Sequence, residues 1–344
     1  MKKIIIISTI VALISFSGGF IFYKTTEANN NRHTQNNLTE AKRIYDAIPI
    51  WHKKLRTQQD IKIGVITDTH VRPNRIDKTN KSDDAPRYLN EKYIKVLDNF
   101  ASQMTKFQPE FIVHLGDVIE GTNDEDFVGM QGLKLVKQEM EKINVPLYWV
   151  IGNHDLRSVT REQFKEVLDL ESINQTFDMG DYRFVILDAN YNADNLPRTP
   201  EGNTYIRGSI PPQQIEWFKQ QLETDKRVFV FVHHGVFQSD IPGDFKDDSK
   251  KIKMKQSIRN SDELQDIFEE YRVDGVFNGH MEARKYEKVN RTNIYSLTGT
   301  KKSKLYPQSY YELTITDGEP SLTMFYTPKG FTEPRQVDFE SGEK

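Results

Sequence analysis

Short apolar runs alternate with polar segments through most of this 344-residue chain, and each run has the length of one strand. The runs that predict strands are IKIGVIT, FIVHLG, LYWVIG, YRFVILDA, RVFVFV and VDGVFNG, followed in the last third by NIYSLTG, SYYELTI and SLTMFYT. Between the earlier runs, apolar residues recur at helical spacing. A helix opened by Pro86 is predicted to run to 107, and further helices are predicted over 133–143, 211–222 and 262–271. This alternation predicts an α/β domain in which helices cover both faces of a sheet.

The N-terminus carries a different pattern. Lys2 and Lys3 precede an uncharged, largely apolar run at 4–23, and Lys24 follows it. About 20 apolar residues match the hydrocarbon thickness of a bilayer. Residues 1–24 are therefore predicted to form a single-pass transmembrane anchor in the cell membrane, with the body outside the cytoplasm. A cleaved signal sequence is the alternative, which would make the protein secreted, and a buried core helix is a third interpretation.

The remaining chain divides into three predicted regions. Residues 25–59 are rich in Asn, Thr, Gln and Lys, so they are predicted to be a polar stalk or linker. Residues 60–330 are predicted to form one folded domain, because no long linker interrupts them. Residues 331–344 are predicted to be a polar C-terminal tail.

Composition narrows the possible chemistry. A hydrophobic fraction of 37% and a charged fraction of 28% are typical of a globular domain. The net charge of -3 argues against general nucleic-acid binding. Because the chain has no cysteine, any metal must be bound through nitrogen and oxygen. Nothing in the sequence specifies an oligomeric state.

Residues that can bind metals follow five of the predicted strands. In open α/β sheets, ligands bind outside the carboxyl ends of the strands, so these residues are predicted to meet at one edge of one sheet. They are Asp68, His70, Asp117, Asn153, His154, His233, His234, His280 and Glu282. Turn chemistry explains Asp, Asn and Gly in loops, but it does not explain histidine at so many strand ends. Carboxylate, amide and imidazole ligands suit Mn, Fe, Zn or Co, and the set predicts a polynuclear metal site.

A pair of divalent ions would allow phosphoester chemistry. Two such ions about 3.5–4 Å apart repel each other, so a bridging carboxylate is expected between them. The pair would neutralise charge on phosphorus and lower the pKa of a bound water, so that hydroxide attacks in line. The chain lacks both the G-x-S-x-G elbow and the G-x-x-x-x-G-K-[ST] loop, so serine hydrolase and P-loop chemistry have no support.

The ordered motifs resemble those of the calcineurin-like metallophosphoesterases. The matching pieces are Asp68-x-His70, Gly116-Asp117, Gly152-Asn153-His154-Asp155, His233 and Gly279-His280. The resemblance implies an α/β/β/α sandwich whose central mixed sheets are flanked by helices. It also implies a hydrolase that uses two divalent ions (Mn, Fe or Zn) to cleave phosphomonoesters or phosphodiesters, here on the outer face of the membrane.

The resemblance further implies a role for each matching residue. The implied metal ligands are Asp68 and His70 for the first ion, Asp117 as the bridge, and Asn153, His233 and His280 for the second. His154 would face the substrate as proton donor or as a positive partner for the transition state. Asp155 would orient His154 from behind, and these two are the predicted catalytic residues.

The chain departs from the family pattern at the last ligand, where Glu282 replaces the second His of G-H-x-H. Glutamate is a competent oxygen ligand for Zn, Mn or Fe, so Glu282 is predicted to complete the first site. Alternatively, Glu282 points away and leaves the first site impaired. The chain would then be a degenerate family member that acts as a binding or scaffold module at the cell surface.

Three further side chains have two interpretations each. His234 follows His233 at a strand end, where successive side chains are expected to face opposite ways, and it either contacts phosphate or packs in the core. Arg72 either binds a phosphate oxygen or is solvated. His114 lies within a predicted strand and is interpreted as a core histidine instead of a ligand.

Overall fold

The structure is a computed structural model that describes residues 60–77, 79, 85, 87–121, 126–200, 202, 207–236, 257–300 and 306–339, and the backbone alone at 11–16, 19–24 and 126–127. The chain divides into two compact units, residues 1–52 and residues 53–344. In the first unit, Val11–Phe16 and Gly19–Lys24 pair as an antiparallel hairpin. Within the described residues, no helix has both the length and the apolar character needed to cross a bilayer. The anchor and signal interpretations of 1–24 stay predictions, and the stalk at 25–59 lies outside the described residues.

The second unit alternates strands and helices as the hydrophobic pattern predicts. Its main strands are β1 (Ile61–Ile66), β2 (Phe111–His114), β3 (Leu147–Trp149), β4 (Gln175–Met179), β5 (Tyr182–Leu187), β6 (Arg227–Val232), β7 (Val273–Asn278), β8 (Lys285–Val289), β9 (Thr292–Ser296), β10 (Tyr310–Thr316), β11 (Glu319–Tyr326) and β12 (Arg335–Asp338). Its helices are α1 (Glu91–Phe107), α2 (Asp126–Glu141), α3 (Arg161–Leu168), α4 (Pro212–Leu222) and α5 (Ser261–Tyr271). A short hairpin joins Asn74–Arg75 to Arg87–Tyr88, and a 3-10 turn spans Asp155–Arg157.

The strands form two mixed sheets of six. In the first sheet the order is β12-β11-β10-β1-β2-β3, with β1, β2 and β3 parallel and the other pairs antiparallel. In the second sheet the order is β8-β9-β7-β6-β5-β4, with a parallel centre and an antiparallel strand at each edge. The expectation of mixed sheets is confirmed.

Side chains on successive strand positions separate into layers because strands have a period of two. In β6, Phe229 and Phe231 pack in a central cluster with residues of the first sheet, such as Phe111. Val228 and Val230 face the other way and pack with residues of α4 and α5. The first sheet packs its outer face against α1, α2 and α3 in the same manner. The layers are helix, sheet, sheet and helix, which confirms the predicted α/β/β/α sandwich. The prediction from the alternation alone, that helices cover both faces of one sheet, is wrong, because the inner face of each sheet packs against the other sheet.

The C-terminal boundary extends beyond the predicted domain end at 330. The strand β12 pairs with β11, and Val337 is 6% exposed and Phe339 2% exposed in the central cluster. A strand with one apolar residue on its inner face gives too short a pattern to be separated from a polar tail by sequence alone. The predicted tail is therefore wrong for residues 335–339.

Candidate metal centre

The predicted metal ligands follow strands of both sheets and meet where those strands end. Asp68 and His70 follow β1, Asp117 follows β2, Asn153 follows β3, His233 follows β6, and His280 and Glu282 follow β7. The prediction that one sheet supplies them all is wrong, because β6 and β7 belong to the second sheet. The packing of two sheets face to face brings the two sets of strand ends together.

Five predicted ligands adopt the left-handed backbone conformation, which side-chain-bearing residues usually avoid. Their φ angles are 51° for Asp68, 45° for His70, 53° for Asp117, 62° for His280 and 49° for Glu282. Such conformations are concentrated at functional sites, where the surrounding structure holds them in place. The chain therefore turns sharply at the ligands themselves.

Two glycines allow the ligand loops to approach each other closely. A Cβ atom on Gly152 would overlap the backbone nitrogen and side chain of Asp117. A Cβ atom on Gly279 would overlap the side chains of Thr67 and Asp68. Any side chain at these positions would displace a carboxylate of the site, which is the physical reason for glycine there.

The first ligand set consists of Asp68, His70 and Glu282, whose ligand atoms all lie within 4.8 Å of one another. His70 Nε2 is 3.7 Å from Asp68 Oδ1 and 3.6 Å from Glu282 Oε1. The other oxygen of Asp68 accepts hydrogen bonds from Thr67 Oγ1 at 2.6 Å and His280 N at 3.1 Å. Glu282 thus faces the set, and the alternative in which it points away does not match the structure.

The second ligand set contains Asn153, His233 and His280, which are 2%, 0% and 7% exposed. His233 Nδ1 lies 2.7 Å from Leu115 O, and because a carbonyl only accepts, Nδ1 carries hydrogen in the neutral ring. Its Nε2 then presents a lone pair to Asn153 Oδ1 at 3.2 Å. Two lone pairs this close repel each other unless a proton or a metal cation lies between them.

Asp117 connects the two sets. Its Oδ2 is 3.7 Å from His70 Nε2 in the first set and 3.2 Å from His233 Nε2 in the second. Its Oδ1 accepts a hydrogen bond of 2.7 Å from the backbone nitrogen of His154, which fixes the orientation of the carboxylate. One buried carboxylate oxygen therefore lies between imidazoles of both sets, as the bridging role requires.

The residues present fit divalent cations. Asp68 Oδ1, His70 Nε2 and His280 Nε2 are buried and have no hydrogen-bond partner among the described residues. Buried polar atoms without partners are costly, and a bound cation would satisfy these atoms. Asp117, His233 and His280 form a second group whose ligand atoms lie within 4.8 Å of one another. The donor set of carboxylate oxygens and imidazole nitrogens suits Mn, Fe or Zn.

The pKa values report how strongly the site favours positive charge. Burial lowers the pKa of His70, but Asp68, Glu282 and Asp117 outweigh it and raise the value to about 10. Burial also lowers the pKa of His233, but the charges of Asp117 and Asp68 outweigh it and raise the value to about 9. Burial and the neighbouring His234 and His233 hold the pKa of His280 well below its usual range. The carboxylates therefore create a field that favours a cation between the two sets.

Glu120 is a site residue that the sequence analysis missed. Its Oε2 lies 3.4 Å from His70 Nδ1, and its Oε1 lies 3.8 Å from His154 Nδ1. A carboxylate behind a ligating histidine orients the ring and raises its basicity. The available signal was an acidic residue three positions after Asp117, at the same strand end.

His154 lies beside the first ligand set, and its role as a residue that faces the substrate stays a prediction. Its ring contacts the ring of His70 edge to face, with centroids 4.5 Å apart. Its Nδ1 lies 2.7 Å from Glu120 O and 2.8 Å from Arg157 Nη1. Burial lowers the pKa of His154 to about 4, and the charges of His70 and Arg157 act in the same direction.

Asp155 does not have the partner that was predicted for it. Its two oxygens accept hydrogen bonds from the backbone nitrogens of Ile119, at 3.0 Å, and Gly152, at 2.8 Å. Neither oxygen hydrogen-bonds to the ring of His154. The carboxylate therefore ties the loop after β2 to the loop after β3, because both loops offer backbone N–H groups to it. Burial and Asp117 raise the pKa of Asp155 to about 7.

Two of the residues with open interpretations, His234 and Arg72, differ in burial. His234 is 1% exposed, and its ring lies 4.4 Å from the ring of His280 and 5.3 Å from that of His233. The rings do not face opposite ways because β6 ends at Val232, before the pair. Arg72 is exposed two residues after His70.

His114 is a core histidine, as interpreted. Its Nδ1 accepts from Gly116 N at 3.2 Å, so Nε2 carries the hydrogen of the neutral ring and faces Thr69 Oγ1 at 3.0 Å. The ring stacks on Trp149 at 5.6 Å. Burial lowers the pKa of His114 to about 3, which is consistent with a neutral ring inside the fold.

Known proteins resemble parts of this chain in sequence. The chain is 27% identical over 172 residues to a probable glycerophosphodiester phosphodiesterase, GpdQ, from Arcobacter nitrofigilis. The matched region covers 49% of this chain and 55% of that protein. It is 32% identical over 162 residues to a manganese-dependent ADP-ribose/CDP-alcohol diphosphatase from Oryza sativa subsp. japonica, covering 44% and 50%. The chain thus spans about half the length of these curated relatives.

A solved structure and a family model support the same assignment. A dimetal phosphatase from Danio rerio superposes with a TM-score of 0.57 at 15% identity, covering 81% of this chain and 99% of that one, which shows the shared fold. The model of the calcineurin-like phosphoesterases matches residues 61–281, which include nearly all of the ligand-bearing strand ends. This chain therefore belongs to the calcineurin-like phosphoesterases, a family of metal-dependent hydrolases that act on phosphoric ester bonds.

Proposed function

We propose that this protein hydrolyses phosphodiester or diphosphate bonds with two divalent cations bound between its two sheets. The observation that carries the proposal is the position of Asp117 Oδ2, between His70 Nε2 at 3.7 Å and His233 Nε2 at 3.2 Å. The bond type is proposed because the relatives that match are named as a phosphodiesterase and as diphosphatases. Phosphomonoesters, which the sequence analysis also allowed, are a second substrate class for the test.

The side chains of the site have distinct proposed roles, as ligands of one cation, of the other, or of both. Asp68, His70 and Glu282 would hold one cation, and Asn153, His233 and His280 the other, with Asp117 shared between them. When bound, such a pair supplies Lewis acidity at the phosphoryl oxygens and an activated water as nucleophile. The backbone N–H of His154 and the N–H groups that reach Asp155 hold the loops in place, so the ligands need not reorganise during the reaction.

The test is hydrolysis by the purified full chain after metal removal and reloading with manganese, iron or zinc. We expect release of p-nitrophenol from bis(p-nitrophenyl) phosphate, and cleavage of a nucleoside diphosphate ester, at rates well above those of the metal-free protein. An exposed surface substitution, Asp225→Asn, is the matched control for handling and metal loading. Equal rates with and without metal, for these substrates and for p-nitrophenyl phosphate, would refute the proposal.

Metal counting distinguishes this proposal from a degenerate binding module. A carboxylate at position 282 that faces the first set, 3.6 Å from His70 Nε2, favours a complete first site. We therefore expect about two ions per chain, as a two-metal mechanism requires. One ion or none, together with absent hydrolysis, would support the scaffold interpretation instead.

We also propose that the catalytic body lies outside the cytoplasm, on the basis of the N-terminal sequence. Lys2 and Lys3 before the apolar run at 4–23 favour a cytoplasmic N-terminus. The test is a pair of C-terminal fusions in a bacterial host, one to alkaline phosphatase and one to a fluorescent protein that folds only in the cytoplasm. Active alkaline phosphatase in the membrane fraction, with an intact N-terminus by mass spectrometry, supports the anchor. Fluorescence without phosphatase activity contradicts the proposed location.

A further inference from the structure

Arg157 occupies a position beside the proposed site that the metal-ligand motifs do not explain. It ends the 3-10 turn that follows His154, and its Nη1 lies 2.8 Å from His154 Nδ1. Its Nε is buried and has no hydrogen-bond partner among the described residues. No carboxylate within the described part of the chain forms an ion pair with it. The His154 ring is therefore the hydrogen-bonding partner that this guanidinium has in the structure.

This contact determines which ring nitrogen of His154 carries hydrogen. A guanidinium has only donors, so Nδ1 must present its lone pair to Arg157. The carbonyl oxygen of Glu120, 2.7 Å from the same Nδ1, requires the opposite arrangement, because it can only accept. The carboxylate of Glu120 also favours hydrogen on Nδ1, but its Oε1 lies 3.8 Å away, beyond hydrogen-bond distance. One nitrogen cannot satisfy both neighbours, so the two contacts are alternatives that correspond to two tautomers.

The contact with Arg157 is the more stabilising of the two. A hydrogen bond from a charged donor is roughly twice as strong as one between neutral groups. If Nδ1 turned its hydrogen to Glu120 O, a partly buried guanidinium would lose its acceptor, and a charged group without partners costs more than a carbonyl without one. An added hydrogen on Nδ1 would also place two like charges about one hydrogen-bond length apart. The ring hydrogen therefore belongs on Nε2.

We propose that Arg157 is a positioning residue that holds the hydrogen of neutral His154 on Nε2, so that the ring donates a hydrogen bond to a phosphoryl oxygen of the substrate. A neutral imidazole does not release its remaining hydrogen as a proton, so His154 is not the acid that protonates the leaving group. The positive charge beside the substrate belongs to Arg157. The substrate part of this inference rests on the proposed function, whereas the tautomer does not.

The direct test is the 15N spectrum of the full chain labelled at histidine and loaded with diamagnetic zinc. The signals of His154 are identified by their absence in His154→Asn. We expect a pyridine-type Nδ1 and a pyrrole-type Nε2 in the wild type and in Arg157→Gln, whose side-chain amide can still donate to Nδ1. In Arg157→Met the hydrogen should move to Nδ1, toward Glu120 O. A pyrrole-type Nδ1 in the wild type, or an unchanged spectrum in Arg157→Met, overturns the proposal.

Kinetics test the consequence for the substrate. With a series of aryl phosphodiesters, His154→Asn should lower kcat by a similar factor for good and poor leaving groups, because no proton transfer is removed. Arg157→Met should lower kcat by about tenfold with KM nearly unchanged, as expected for loss of a residue that orients a reacting group, and Arg157→Gln should recover most of that loss. Lys165→Gln, which removes a positive charge from α3, is the matched control.

Two kinetic results would contradict the proposal. A loss in His154→Asn that grows as the leaving group becomes poorer would mean that the ring delivers a proton, and the proposal would be wrong. A rise in KM alone for Arg157→Met would mean that the guanidinium binds the substrate instead of the ring. If the wild type cleaves no ester, the proposed function fails, while the 15N spectrum still decides the tautomer.

Discussion

The two ligand sets that share Asp117 have opposite chemical character. The first set surrounds one imidazole, His70, with the carboxylates of Asp68 and Glu282, and it lies next to Glu120. The second set has no carboxylate of its own apart from the shared Asp117, and it presents His233, His280 and the amide of Asn153. One half of the centre is rich in carboxylate oxygen, and the other is rich in imidazole nitrogen.

The difference extends to how each ring is oriented. His70 Nδ1 faces a side-chain carboxylate, that of Glu120, at 3.4 Å. His233 Nδ1 faces a backbone carbonyl, that of Leu115, at 2.7 Å. Hard cations such as Mn prefer oxygen, and borderline cations such as Zn bind imidazole well. We therefore expect the two positions to differ in metal preference and in sensitivity to single substitutions.

The largest effect is expected from removing the residue that both sets share. Asp117→Asn keeps the shape of the side chain but removes its charge from both proposed cation sites. We expect kcat/KM to fall on the order of 10³-fold, since metal clamps supply several kcal/mol to the transition state. Steady-state hydrolysis of the best aryl diester, with metal content measured on the same sample, is the readout.

The matched comparison for this prediction is Asp68→Asn, which removes the same charge from the first set alone. Its loss should be clearly smaller, and one ion should remain bound. If both variants lose the same activity and the same number of ions, Asp117 is not shared and the description of two sets is wrong.

The next largest effect tests the negative half of the centre. Glu282→Gln removes one carboxylate from the first set, so the affinity of its cation should fall by at least about 100-fold while the second cation stays bound. Metal content during titration with a chelator measures both affinities. Glu282→His is the informative partner variant, because it would make the first set more like the second. It should shift the preference of that position from Mn toward Zn without a large gain in activity.

A smaller effect is expected behind His70. Glu120→Gln removes the carboxylate that faces His70 Nδ1 and His154, and we expect a loss of about tenfold to 100-fold in activity or first-site affinity. Glu110→Gln is the control, because Glu110 hydrogen-bonds to Lys62 at the opposite end of β1. Equal affinity in wild type and Glu120→Gln would show that this carboxylate does not support the first set.

The smallest effect is a pH dependence of stability in the metal-free protein. Asp68 and Glu282, acting against burial, raise the pKa of His70 from 6.5 to about 10. A raised pKa contributes stability that is complete below pH 6.5 and is lost as the pH rises toward 10. The midpoint of thermal unfolding of metal-free protein should therefore fall by a few °C between pH 8 and pH 9, as expected for a loss of about 1 kcal/mol.

Two further samples, one metal-loaded and one a variant, separate this prediction from general alkaline destabilisation. Metal-loaded protein should show a flatter dependence over the same range, because cations take the place of the protons. Metal-free Glu282→Gln should also be flatter than the wild type, because one carboxylate that raises the pKa of His70 is gone. The same slope in all three samples would contradict the assignment to His70.

The sequence predicted the strands best where both faces are buried. RVFVFV, for example, reads as a strand because phenylalanine and valine alternate, and the two kinds of side chain do face different layers. The motifs also selected side chains that the structure brings close together, and Glu282, at the position where the chain departs from the motif, is among them. Elements with one apolar residue on the inner face, such as β12, left too little pattern to be recognised.

The residues that the sequence analysis missed make contacts between loops that are far apart in the sequence. Glu120 and Arg157 both contact His154, yet they lie on loops that follow different strands, β2 and β3. Asp155 was identified, but its partners are the backbone nitrogens of Ile119 and Gly152, which no side-chain motif encodes. Sequence spacing does not specify which backbone groups a turn will present.

By itself, the sequence determined the chemistry of the centre: which donor atoms stand at the strand ends, the absence of thiolate ligands, and the apolar periodicity that forms the layers. Only the tertiary structure decided that two sheets share the site, that Glu282 faces His70, and that one oxygen of Asp117 lies between both imidazoles. The reason is that residue type is local, whereas the distance between side chains from separate strands depends on how the sheets pack.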